Sequence, residues 1–431
     1  MCSNVTLDEM EDTMRTRRSD LSRRQFISTS LTGLAAAGLA GVTPRLASAQ
    51  EEGKGERPEP SQAAGLTEQA AAETIYRDLG KTGIRLPIVS MGAMNADNPE
   101  VVQASYEQGV RHFDTASLYA FGRNEQMLGK VIKQMGVRDK VVIGTKEQLA
   151  GRADLSDADA KAKFIKLTEG SLRRLQTDYV DIIYIHDVGS TEVLDDDALF
   201  AAMDQLKKDG KARATGISAH QSMTEIISKV TKDRRCDVVL AAINVSMADD
   251  KALLEAADKA AAEGIGLVAM KTQAGGRQLS NQASLSQYDS ATINTAMLKW
   301  VLRHSAITTA IPGYTSYQHM REDLSVIGNL EYTEDEKRFL ADNELNLGLG
   351  FCRQCGQCLA SCPRGVDVPT LMRTHMYAAQ YSNFRMARAT LDEILQERSI
   401  QACRLCDTCT AKCANAVDIA YRIGELKLMY A

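Results

Sequence analysis

From Pro87 to Gly328 one alternation repeats eight times: a short apolar run, then a longer stretch whose apolar residues recur every three or four positions. The runs are PIVSMG, RHFDTA, KVVIGTK, VDIIYIHD, ARATGIS, DVVLAAIN, GIGLVAM and ITTAIPG. Between and after them come PEVVQASYEQG, NEQMLGKVIKQM, AKAKFIKLTEGSLRRL, DALFAAMDQLKKDG, MTEIISKVTKD, DKALLEAADKAAAEG, SATINTAMLKWVLRHS and SYQHMREDLSVIG. Near-continuous apolar runs are what strands need when both faces are buried, and a helix is the usual crossover between parallel strands. Eight such units over about 240 residues predict an α/β fold, a (β/α)8 TIM barrel. Ahead of it TIYRDLGKTGIRLP, residues 74–87, reads as a β-hairpin with a Gly-containing turn, suited to plug the barrel floor.

In such a barrel the C-terminal strand ends share one rim, and chemistry is done there. Asp114 lies at the end of the second run, with Tyr119 close behind it; Lys146 ends the third and His186 sits at the tip of the fourth. Each has an ordinary role when taken alone: a turn or cap for the Asp, a solvated Lys, a hydrogen-bonded core His, a packed loop Tyr. Their joint occurrence at successive strand ends points to a catalytic rim instead.

These stretches resemble the aldo/keto reductase family over about residues 74–345: the hairpin YRDLGKTGI, then HFDTASLY with GRNE, TK, YIHD, KARATGIS and IPG. The resemblance implies reduction of a small carbonyl, or oxidation of an alcohol, by nicotinamide hydride transfer with NAD(P)(H). It also implies a catalytic tetrad of Asp114, Tyr119, Lys146 and His186. The residue types suit that chemistry. An alkoxide forming as hydride arrives must be protonated. A Tyr with a reference pKa of about 10 is poorly poised for this, and a neighbouring ammonium is expected to lower it. Tyr119 is therefore assigned as general acid, Lys146 as its tuner, Asp114 as the orienter of Lys146 and His186 as the polariser of the carbonyl.

The cofactor side follows the family less closely. Ser218 matches the position that binds the carboxamide, but Ala219 replaces the Asn beside it. Met270 and Lys271 stand where many members stack a Tyr on the nicotinamide. Gly313 and His319 replace a Lys and an Arg that would grip a 2′-phosphate, and Asp323 replaces an Asn. This leaves NADH open beside NADPH. Gly313, Tyr314 and Thr315 offer backbone N–H groups at the start of the last helix, which suits a phosphate.

Eight of the ten cysteines follow residue 351. Cys352-x2-Cys355-x2-Cys358-x3-Cys362-Pro is the run of bacterial ferredoxins; Cys403-x2-Cys406-x2-Cys409-x3-Cys413 repeats it with Ala414 for the Pro. In two-cluster ferredoxins the fourth Cys of each run ligates the other cluster. By analogy one [4Fe–4S] cluster takes Cys352, Cys355, Cys358 and Cys413, and the other takes Cys403, Cys406, Cys409 and Cys362. Zinc and disulfides are the alternatives, but zinc sites usually come as separated ligand pairs. VDVPTLMRTHMYAAQY, NFRMARATLDEILQE and VDIAYRIGELKLMY have helical period, so a small, mainly α-helical, ferredoxin-like dicluster domain is expected.

Ser22-Arg23-Arg24-Gln25-Phe26-Ile27, the apolar STSLTGLAAAGLAGV and Ala47-Ser48-Ala49 form a twin-arginine export signal with a cleavage box. The apolar run is too short to span a bilayer, which needs about 20 residues, so no stable span is expected after processing. The predicted destination is the periplasm or exterior of a bacterium, through the twin-arginine translocation machinery. That route carries folded proteins, as clusters assembled inside would require. The net charge of −5 with no basic stripe argues against nucleic acid.

The expected organisation is a signal peptide over 1–49, a linker over 50–73, the barrel over 74–345 and the cluster domain over 346–431. The expected function is an exported oxidoreductase with a redox partner protein. The alternative is an electron-transfer protein whose barrel is only a docking scaffold.

Overall fold

The computed structural model describes residues 73–274, 287–342 and 350–430. The twin-arginine segment, its cleavage box, Cys2 and the linker up to residue 72 lie outside the described residues.

Strands β1 (Tyr76–Asp78) and β2 (Arg85–Pro87) pair antiparallel. The turn between them uses Gly80 and Gly83 at φ +54° and +73°, and the Thr82 hydroxyl donates to the Leu79 carbonyl at 2.7 Å. Gly80 has a second reason to be Gly, since a Cβ there would stand 2.3 Å from the Gly264 carbonyl oxygen. The Arg77 guanidinium donates to the carbonyls of Leu302 (2.7 Å) and Ile307 (2.5 Å). Both anchors precede strands, so the hairpin closes the N-terminal floor.

Eight parallel strands follow: β3 (Met91–Gly92), β4 (His112–Asp114), β5 (Val142–Glu147), β6 (Val180–Val188), β7 (Ala212–Ala219), β8 (Val238–Ala242), β9 (Gly266–Met270) and β10 (Thr309–Ala310). Each pairs with its neighbour in sequence, and parallel bridges Val89–Ala310 and Gly92–Gly313 join the last edge to the first. This is the expected (β/α)8 barrel. Its strands are buried almost throughout, as their apolar composition demands.

The helices around it are α1 (Pro99–Glu107), α2 (Arg123–Met135), α3 (Asp157–Leu175), α4 (Asp197–Lys208), α5 (Met223–Asp233), α6 (Lys251–Ala262), α7 (Ser290–Arg303) and α8 (Tyr317–Leu324). Asn98, Ser156, Asp196, Asp250, Asp289 and Ser316 cap their N-termini by accepting from backbone N–H groups. A further helix, α9 (Glu334–Ala341), was not expected. Its signal was legible, because Thr333 and Glu336 form a capping box. Glu336 also pairs with the buried Lys299 of α7 at 2.8 Å.

The tail is mainly helical: α10 (Val368–His375), a π-turn (Met376–Gln380), α11 (Phe384–Asp392), α12 (Ile400–Cys403) and α13 (Ile419–Tyr430). It has two apolar faces. Phe351, Met376, Tyr377, Ala378, Met386 and Ala387 join the barrel's own core. Val366, Leu371, Ile400, Ile419, Ile423 and Leu426 form a second core around the cysteines. Barrel and tail therefore pack as one unit. Among the described residues no helix is long and apolar enough to cross a membrane.

Candidate active site and cysteine centres

The four rim residues come together. Lys146, in β5, donates to Asp114 at the end of β4 and to the Thr115 carbonyl at 2.7 Å; both charged side chains are buried. The Lys146 ammonium stands 5.2 Å from the ring centre of Tyr119. The rings of Tyr119 and His186 meet edge to face at 6.1 Å. Because strands β4, β5 and β6 are adjacent and parallel, their ends deliver these groups to one place.

The loop carrying Tyr119 is fixed by the GRNE stretch. Asn124 donates to the carbonyls of Ala93 (2.7 Å) and Ala96 (2.9 Å) and accepts from the Thr115 hydroxyl at 2.6 Å. Buried Glu125 accepts from Thr145 (2.6 Å) and Arg174 (2.6 Å). Ser117 donates to Glu147 at 2.6 Å. Between these anchors Ala120 and Phe121 adopt φ of 50° and 56°, unusual for residues with a Cβ. Such strain persists only where surrounding contacts hold it.

Electrostatics correct one expectation. The Tyr119 phenol is pushed well above its usual pKa by burial, with Asp114 and Asp187 adding to the rise. The Lys146 ammonium, 5.2 Å from the ring centre, gives N–H donors to Asp114 and the Thr115 carbonyl, and the net shift at the phenol is upward. Tyr119 thus keeps its proton through the neutral range. Burial and the Lys146 charge hold the His186 imidazole down, at about 3, so it is neutral. A neutral imidazole still has one N–H to donate.

A cleft of about 1310 Å³ opens at this rim, larger than the roughly 300–1,000 Å³ of an ordinary small-molecule site. Asp114 and Tyr119 line it, as do Met270, Lys271, Gly313, Thr315 and His319 from the expected nucleotide contacts. The other three expected contacts are placed elsewhere. The Ser218 hydroxyl accepts from the Asp187 N–H at 3.2 Å, Tyr314 is buried with its hydroxyl 3.0 Å from Ser105, and Asp323 accepts from Gln273 at 2.6 Å. Helix α8 starts at Tyr317, after Gly313–Thr315, and its cap Ser316 occupies the His319 N–H. The expected phosphate-binding helix start is therefore displaced, leaving a loop at residues 313–315.

The tail forms part of the same mouth. Gln380, Tyr381, Asn383, Phe384 and Arg385 line the cleft. Asn383 donates to Asn95 across it at 2.7 Å. Arg373 of α10 pairs with Asp187, the residue after His186, and with Glu393 at 2.7 Å. Lys271, held at φ +57°, donates to the Tyr377 hydroxyl at 3.0 Å and lies 4.4 Å from that ring's centre. Burial, with the Arg373 charge, lowers the Lys271 pKa to about 7.

The eight tail thiols fall into two neighbourhoods. Cys352, Cys355, Cys358 and Cys413 line one small cavity. Cys352 is pushed up to about 12 by burial, with Cys358, Cys413 and Cys355 adding to the rise. Cys403 is raised to about 11 by burial, with Cys362, Cys409 and Cys406 as its thiol neighbours. The fourth Cys of each run thus lies with the opposite triplet. Gln354 donates to the Cys352 sulfur at 3.2 Å and the Asn415 N–H to that of Cys413 at 3.3 Å. Among the described residues no group of three or more His, Cys, Asp or Glu is placed to hold a single metal ion. All-thiol quartets with amide donors aimed at sulfur suit iron–sulfur clusters.

The Aldo/keto reductase family profile matches residues 90–292, and the 4Fe-4S dicluster domain profile matches residues 351–418. The chain carries an aldo/keto reductase domain followed by a 4Fe–4S dicluster domain. It is 32% identical to Aldo-keto reductase YhdN of Bacillus subtilis over 155 residues, 33% of this chain and 46% of that relative, so the match spans less than half of the relative's length. The aldo-keto reductase AKR11C1 from Bacillus halodurans, in its holo form, superposes with a TM-score of 0.51 at 22% identity, covering 62% of this chain and 95% of that one. That likeness is one of fold. An aldo-keto reductase from Klebsiella pneumoniae in complex with NADPH reaches a TM-score of 0.49 at 22% identity, covering 62% and 94%, too low to add to the argument.

Several residues at the mouth of the reductase domain were missed from sequence: Asp187, His220, Gln273 and, from the dicluster domain, Arg373, Tyr377 and Tyr381. Asp187 and His220 sit beside the motif residues His186 and Ser218, a signal within reach. The tail residues gave none, since their partners lie about a hundred or more positions away.

Proposed function

We propose that the protein is an oxidoreductase that reduces a small carbonyl, or oxidises the corresponding alcohol, at the barrel mouth, with electron transfer in the cysteine-rich tail. The observation that carries this reading is the buried Asp114–Lys146 pair beside Tyr119 and His186, with Asp114 and Tyr119 lining one large cleft. NAD(P)(H), when held there by Lys271, Gly313, Thr315 and His319, supplies the hydride. Clusters of the [4Fe–4S] type, when held by Cys352, Cys355, Cys358 and Cys413 and by Cys403, Cys406, Cys409 and Cys362, supply one-electron storage.

The chain's own residues do the rest. His186 donates its N–H to the carbonyl oxygen and fixes its angle. Tyr119, protonated at neutral pH, passes its proton to that oxygen as negative charge develops. The Lys146 ammonium, oriented by Asp114, then stabilises the phenolate left behind. Changing Tyr119→Phe is expected to reduce carbonyl turnover by about 10²–10⁴-fold with cluster absorbance unchanged. Turnover equal to wild type would defeat the assignment.

The second reading, a barrel that only docks an electron-transfer tail, draws on the hold of Tyr377 on Lys271 at the mouth. Full carbonyl turnover by the wild type, lost in Tyr119→Phe, would exclude it.

Export by the twin-arginine route is also proposed, supported by Arg23-Arg24 and the Ala47-Ser48-Ala49 box. Replacing both arginines with lysine is expected to leave unprocessed precursor inside the cell, read by fractionation and mass. Normal processing of that variant would refute the route.

A further inference from the structure

Beyond the four rim residues, the mouth holds one more oriented imidazole. His220 Nδ1 lies 2.6 Å from Asp187 Oδ1. The other Asp187 oxygen accepts from Arg373 of the tail, and its backbone N–H donates to Ser218 at 3.2 Å. These contacts hold Asp187 at φ +58°, where a residue with a Cβ seldom stays, and β6 slips register between Ile185 and Val188. The Arg373 guanidinium is itself pinned at 2.7 Å by Glu393. The chain of contacts Glu393–Arg373–Asp187–His220 thus runs from the C-terminal cap of α11 in the tail to the rim of the barrel.

With Nδ1 committed to the carboxylate, the ring's other nitrogen is left for the cavities that His220 lines. One is the main cleft, shared with Tyr119 and Lys271. The other is a smaller one lined also by Cys352, Gln354 and Arg373. A carboxylate partner on Nδ1 fixes the Nδ1–H tautomer, which makes Nε2 a hydrogen-bond acceptor.

We propose that His220 is a specificity-determining residue of the barrel site, accepting a hydrogen bond through Nε2 from a neutral O–H or N–H donor on the ligand in the cleft. Arg373 is its positioning residue, acting through Asp187. The proposal rests on the oxidoreductase reading above. Two ligands could supply the donor: a substrate hydroxyl beside the carbonyl, or the carboxamide of the nicotinamide. The facing charged and titratable groups are His186 and Asp187 from β6, Arg373 from α10 and Lys271 after β9. Burial holds the imidazole down, at about 4, with Asp187 opposing, so Nε2 stays an acceptor at neutral pH.

The test uses the full-length, cluster-loaded protein and two ligand pairs. One pair is a ketone with and without an adjacent hydroxyl, compared by kcat/KM. The other is NADH and its 3-acetylpyridine analogue, which lacks the amide N–H donors, compared by Kd in a binding titration. His220→Phe removes the acceptor and keeps a ring; His220→Gln restores an acceptor. Wild type is expected to favour the donor-bearing member of one pair by about tenfold, the size of one hydrogen bond's loss. His220→Phe erases that ratio and His220→Gln recovers part of it. The pair that responds names the source of the donor.

Arg373→Met, checked for unchanged iron content, is expected to shrink the same ratio without abolishing turnover; if it loses iron, Glu393→Gln serves in its place. Ratios unmoved in His220→Phe overturn the proposal and leave the oxidoreductase reading standing. Failure of wild type to bind either dinucleotide or turn over either ketone overturns both.

Discussion

At the scale of single residues, the site is governed by burial more than by neighbouring charge. Tyr119 is raised and His186 lowered chiefly by burial. The same cause sets an acid limit on stability. His112 and His186 are held down at about 3 and His220 at about 4, against about 6.5 unfolded. Between those values the unfolded chain binds more protons, so stability is full above about pH 6.5 and is lost as pH falls toward 3. Glu393, raised to about 7 by burial, works in the opposite sense and offsets part of this. Removing one imidazole isolates the effect. In His112→Phe the pH slope of urea-unfolding stability between pH 6 and 4 is expected to shrink by up to about 1.4 kcal/mol per pH unit. An unchanged slope would contradict it. The four rim residues were legible in sequence because Asp114, Lys146 and His186 sit toward the C-terminal ends of strands and Tyr119 closely follows one. The net rise at Tyr119 was not, because sequence cannot show how far the fold buries the phenol or that Asp114 and Asp187 both lie near it.

At the scale of elements, all eight strands and their helices were legible, since burial on both faces leaves no room for polar interruptions in a strand. The ends of elements were less so. Helix α8 begins later than the loop residues Gly313–Thr315, because Ser316 rather than Gly313 caps it. The tail helix breaks into a π-turn at Met376–Gln380, which no periodicity announces; Tyr377 and Tyr381 lie in and just after it, and both rings stand over Lys271. Such turns recur at functional sites. Packing between elements can also outweigh helix propensity. A Cβ on Gly129 of α2 would stand 2.4 Å from the Leu175 carbonyl at the end of α3. Gly129→Ala should therefore destabilise by about 1–3 kcal/mol, despite the roughly 1 kcal/mol that Ala gains in a free helix. A more stable variant in urea unfolding would show that α2 and α3 separate easily.

At the scale of the whole molecule, barrel and cysteine tail are joined at the place where chemistry is expected. Tail residues line the cleft, Arg373 grips Asp187, and Tyr377 takes a hydrogen bond from Lys271. Sequence divided the chain into a barrel and a separate small domain because the two motifs are contiguous blocks. The shared core of Phe351, Met376, Tyr377 and Met386 depends on pairings across the fold that no local pattern carries. The crossed grouping of the cysteines was legible, because their spacing repeats a known arrangement. The central claim is that one folded unit holds both a dinucleotide site and two all-thiol cluster sites. Anaerobic purification, with iron, acid-labile sulfide and dinucleotide binding quantified on the same sample, tests it most directly. The account predicts about eight iron and about eight sulfide per chain with a single saturable dinucleotide site; zinc without sulfide, or iron without any dinucleotide binding, would contradict it.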